Sequence, residues 1–165
     1  GKYLFDSKDT YLTLLKETVE QVRKYYSDTL IAIKPKPFKR AETNDWIPPF
    51  VESLNGKKIT IDYTPLTFTA TKTILALFNI PSTAFFDFVI NDVPCIEHVR
   101  YGENHKKIHP NDSYLQEFGA IKKSNVEELD KAISTVKDGT LKIMSKNSLK
   151  KHIEHNDDKN TFETL

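Results

Sequence analysis

Four side chains able to ligate a metal or act as nucleophile and base crowd one stretch of the chain: Cys95, His98, His105 and His109. Two, then six, then three residues separate them, a spacing similar to that of a zinc site with one cysteine and three histidines. The central gap, however, is far shorter than a zinc-finger loop. Cys95 and His98 also fall in a segment with strand character, where residues three apart point to opposite faces. The same geometry argues against Cys95 as a nucleophile with His98 as its base, which requires contact and a third orienting group. The expectation is a buried thiol among surface histidines, with no metal, no cofactor and no catalytic residue.

Asp87, Asp92, Glu97, Glu103 and Asp112 are the acidic residues that metal-dependent nuclease chemistry would draw on. The chain has 23 acidic residues, so some clustering is expected, and no spacing among these five is diagnostic. Its five glycines are scattered and form no phosphate-cradling loop. The strongest binding signal is Lys34-Pro35-Lys36-Pro37-Phe38-Lys39-Arg40. Its positive charges can hold phosphates while Phe38 stacks on a base or enters an apolar groove. Pro35 and Pro37 favour an extended path, which lowers the entropy lost on binding. Lys34, Lys36, Phe38, Lys39 and Arg40 are therefore the expected binding residues. A second basic group, Lys146, Lys150, Lys151, His152 and His155, fits the solvated face of a terminal helix.

Those residues need elements to position them. Tyr11, Leu14, Leu15, Val19, Val22 and Tyr26 recur at helical spacing and predict a helix over 9–26, capped by Ser7 or Asp9. Thr29 to Lys34 reads as a strand, followed by a connection over 35–57 through Trp46, Pro48, Pro49 and Asn55-Gly56. Lys58 to Tyr63 alternates as a strand, with Ile59, Ile61 and Tyr63 on one face. A short helix is expected from Thr69 to Asn79, burying Ala70, Ile74, Leu77 and Phe78. The apolar run Phe85 to Ile90 suits an interior strand, with Asn91-Asp92 turning into a returning strand, Cys95 to Tyr101. Lys106 to His109 could add one more. Beyond Gly119, Val126, Leu129, Ile133 and Val136 predict a helix over 124–137. A strand over 140–144, a polar helix over 146–155 and a frayed tail over 156–165 complete the reading.

The order strand, strand, helix, strand, strand between 29 and 109 is that of a β-grasp. Short motifs add to it: Asn79-Ile80-Pro81-Ser82-Thr83, Val89-Ile90-Asn91-Asp92-Val93-Pro94, Tyr101-Gly102-Glu103-Asn104 and Ile108-His109-Pro110. Together with the upstream Asn44-Asp45-Trp46-Ile47-Pro48, this pattern resembles the ubiquitin-like domain found beside certain bacterial PIN-type nuclease domains. That domain is related to the sulfur carriers of molybdopterin and thiamine synthesis, and the likeness covers about residues 30–118. It departs from the family at Asn79, at Asn91-Asp92 and at Gly102-Glu103, where the family has Gly, Asn-Gly and Gly-Asp. Sulfur carriers also need a flexible terminal Gly-Gly, whereas this sequence ends Thr161-Phe162-Glu163-Thr164-Leu165, so the resemblance does not extend to sulfur transfer. The zinc-ribbon cysteines of the nuclease partner are absent as well.

The expected fold class is α+β: a β-grasp core over 29–118, an added N-terminal helix over 1–28, and a helix-strand-helix extension over 119–155 packed on the core. Its expected inward positions are Ile59, Ile61, Ile74, Leu77, Phe78, Phe86, Phe88 and Ile90. With 165 residues, 38% apolar and 28% charged, the chain suits a globular protein rather than a disordered one. A formal net charge of +1 gives the whole chain no strong pull on nucleic acid. No run approaches the roughly 20 apolar residues that span a bilayer, and the start lacks a signal-peptide pattern. One cysteine cannot form an internal disulfide, so an intracellular setting, cytoplasm or nucleus, is expected. Beginning at Gly1, with Met144 its only methionine, the sequence reads as a piece of a longer protein. The expected role is a non-enzymatic interaction module that binds a protein partner through a ubiquitin-like core. The alternative is an RNA-binding or nuclease-accessory protein that uses Lys34 to Arg40.

Overall fold

The computed structural model describes residues 5–35, 42–54, 58–80, 82–108 and 121–140. Its first helix, α1 (Lys8–Tyr25), follows the expected stripe: Tyr11, Leu14, Leu15, Val19 and Val22 are all buried. Ser7 is the cap, its side chain accepting the Thr10 N–H. Strand β1 (Ile31–Ile33) is followed by α2 (Glu42–Ser53) and β2 (Ile59–Ile61). The short helix α3 (Leu66–Ala70), strand β3 (Ala76–Phe78), helix α4 (Phe85–Ile90) and strand β4 (Cys95–His98) follow. Helix α5 (Glu103–Ile108), strand β5 (Ile121–Lys123) and helix α6 (Val126–Lys137) complete the described chain.

Mixed α and β structure is as expected, but the elements between 35 and 109 differ. The connection expected over 35–57 contains α2, whose Ile47 and Phe50 are buried against Tyr11 and Leu15. That contact outweighs two prolines inside the helix, Pro48 and Pro49. The helix expected over 69–79 forms only at 66–70, and 76–78 is a strand instead. The strand expected over 85–90 is a helix that buries Phe85, Phe88 and Val89, the spacing of one helical face. Consequently Asn91-Asp92 closes a helix and makes no hairpin. The possible strand at Lys106 to His109 is helix α5 as far as Ile108. Ile74 and Ile90, expected inside, are 55% and 44% exposed, because they sit off the faces these elements present. The strands expected at 29–34, 58–63 and 95–101 do form, though shorter. Helix α6 forms as read, capped by Asn125. The expectations for 109–118 and 141–165 lie outside the described residues.

Strand pairing differs most. β1 pairs with β2, and β3 with β4 with β5, and all three ladders are parallel. The strand order that suggested a β-grasp is therefore not present among the described residues. Helix α1 fixes the relative direction of the two sheets. Its Glu17 and Thr18 meet His98 and Asn79, at the carboxyl ends of β4 and β3. Val22, one turn later, packs with Leu77 and Ile96 in the middle of those strands. Arg23 then donates to the carbonyls of Thr29 and Lys58, just before β1 and β2. Thus α1 runs against both sheets, and all five strands point the same way.

Three apolar clusters hold this arrangement. One joins α1, α2 and the β1–β2 sheet. A second packs α4 against β3 and β4 through Phe78, Phe85 and Phe88, with Phe78 edge-on to both partners. The third puts Leu129, Ala132 and Ile133 of α6 on Val22 and Ile96. Ile31 of β1, like Leu75 and Leu77, packs on the third cluster, so that cluster lies at the seam between the sheets.

Candidate functional site

The common strand direction gathers the polar turns after β1, β2, β3 and β4 on one edge of the molecule. After β1 comes Lys34. Its ammonium donates to Asp62 Oδ2 at 2.9 Å, to the Thr64 carbonyl at 2.7 Å and to Thr69 Oγ1 at 3.1 Å. Asp62, immediately after β2, also accepts from the Thr64 N–H at 2.8 Å, from the Thr64 hydroxyl at 2.6 Å and from Thr69 Oγ1 at 2.9 Å. The Thr64 hydroxyl and the Lys34 ammonium, with the backbone and Thr69 bonds, hold its carboxyl well below the usual carboxylate range. Lys34 is thus a pin between the sheet and α3. It marks the point from which the basic run leaves β1.

The turns after β3 and β4 are tied to α1. Asn79 donates to Thr18 Oγ1 at 2.8 Å and to the His98 carbonyl at 3.0 Å. His98, fully buried, lies with Nε2 3.1 Å from Glu17 Oε2. Arg100 clasps both oxygens of the same carboxylate and donates through Nε to the Ser124 carbonyl at 2.6 Å. Glu17 therefore bridges a buried imidazole and a partly exposed guanidinium, a pairing that orients all three side chains. Glu97, the neighbour of His98 in β4, is also buried, with the Tyr101 hydroxyl 3.4 Å from its Oε1. Farther along, Asp6 Oδ1 accepts the Glu103 N–H at 3.0 Å. Close approach of Asp6 also explains Gly102, where a Cβ would stand 2.5 Å from that oxygen.

The candidates read from sequence distribute as follows. Of the basic segment, Lys34 is held as above, and Lys36, Phe38, Lys39 and Arg40 lie outside the described residues. Cys95 and His98 do face opposite ways: Cys95 joins the phenylalanine cluster, and burial pushes its thiol up to about 12, while His98 turns to α1. His98 is not the surface histidine expected. His109 and Asp112 are outside the described residues. Among the described residues no group of three or more His, Cys, Asp or Glu could hold a metal ion. Glu103 is paired with Lys106 and Glu97 with Tyr101, and the acidic candidates among the described residues make no group of three or more.

Sequence reasoning missed Asp62, Thr64, Thr69, Glu17, Asn79 and Arg100. An Asp-x-Thr just past a strand is the one local signal available, because an Asp there accepts bonds from the residue two positions on. No helix among the described residues is long and apolar enough to cross a membrane. Comparison with protein-family models, with curated proteins and with solved structures returns no match.

Proposed function

We propose that this chain is a binding domain for a small phosphate-bearing ligand, seated at the carboxyl ends of its parallel strands. One observation carries the reading: every ladder is parallel, and α1 runs against both the β1–β2 pair and the β3–β4–β5 sheet, so the turns after the strands share one side. In open α/β sheets ligands bind outside the carboxyl ends of the strands. Fold supplies the place and not the chemistry. The chemistry comes from the run Lys34 to Arg40, whose first residue follows β1 and whose cations suit phosphate. A protein partner gripped through a ubiquitin-like core, the leading expectation from sequence, has less support, since the described ladders are all parallel. RNA association would draw on the same phosphate chemistry.

Calorimetric titration with inorganic pyrophosphate tests the reading. Binding is expected at low salt, to weaken as salt rises, and to weaken at least about tenfold when Lys36, Lys39 and Arg40 are all replaced by alanine. A parent chain that binds no pyrophosphate, or a triple variant that binds it as the parent does, overturns it.

A further inference from the structure

We draw no further inference here: the strongest candidate, the side-chain cluster of Glu17, His98 and Arg100 at the carboxyl end of β4, belongs to the arrangement already described, where its hydrogen bonds tie α1 to the sheet, and nothing among the described residues points to a ligand beside it.

Discussion

Asp62 accepts four hydrogen bonds from Lys34, Thr64 and Thr69, and its carboxyl is correspondingly harder to protonate when folded. A depressed folded pKa means that the unfolded chain takes up the proton first. The stabilisation is therefore complete above the unfolded carboxylate range and is lost as pH falls from about 5 through the folded value. Asp62→Asn is expected to melt lower than the parent at pH 7 and to lose less stability on acidification, as followed by thermal melts across pH. Equal acid sensitivity in both proteins would sink the assignment. Core residues give a sharper contrast. Phe88 is 7% exposed and Ile90 is 44% exposed, so Phe88→Ala should cost about 3–5 kcal/mol in a denaturant titration and Ile90→Ala under about 1 kcal/mol. Sequence alone ranked the two together, because in a strand they share a face, and only the helical turn separates them. Lys34 was legible as a charge but not as a pin, since its acceptors come from residues 62–69.

Elements with long stripes and clear caps could be read directly. Ser7 opens α1 and Asn125 opens α6, and each stripe runs through three turns or more, too long for a strand to mimic. Runs of four to six apolar residues carry no such information. Leu75 to Phe78 and Phe85 to Ile90 fit either element, and their packing between sheet and helices decides which forms. Helix α2 was hidden by Pro48 and Pro49, ordinarily marks of a loop. Pro49 is exposed and interior to the helix, so Pro49→Ala restores a backbone donor, and the melting temperature should rise. A fall would mean that the segment is not helical in solution. Gly102 tests a different junction. Gly102→Ala drives a methyl into Asp6, and a loss of about 1–3 kcal/mol is expected from overpacking. Unchanged stability would show that the segment before α1 does not seat there.

For the whole molecule, the balance of α and β and the burial of a real core followed from composition, while strand direction did not. A parallel pair requires a crossover; the helix after β1 was hidden in an expected connection and the helix after β3 in an expected strand, so strand direction could not be read. The seam between the two sheets has a further consequence. No strand ladder crosses it among the described residues, so helices join the halves: α1 through Ile33 on one side and His98 on the other, and α3 through the Lys34–Thr69 bond and Ala70. The ties of α1 span 81 residues to His98 and 106 to Asp130. Folding must therefore close large loops before its earliest helix finds its partners, and that pattern slows the search. A fragment ending before β3 leaves that helix half covered, and an isolated helix of 18 residues is only marginally stable in water. Refolding should accordingly be slow for a protein this rich in helix. Amide protection in α1 should appear together with that of α6, rather than ahead of it.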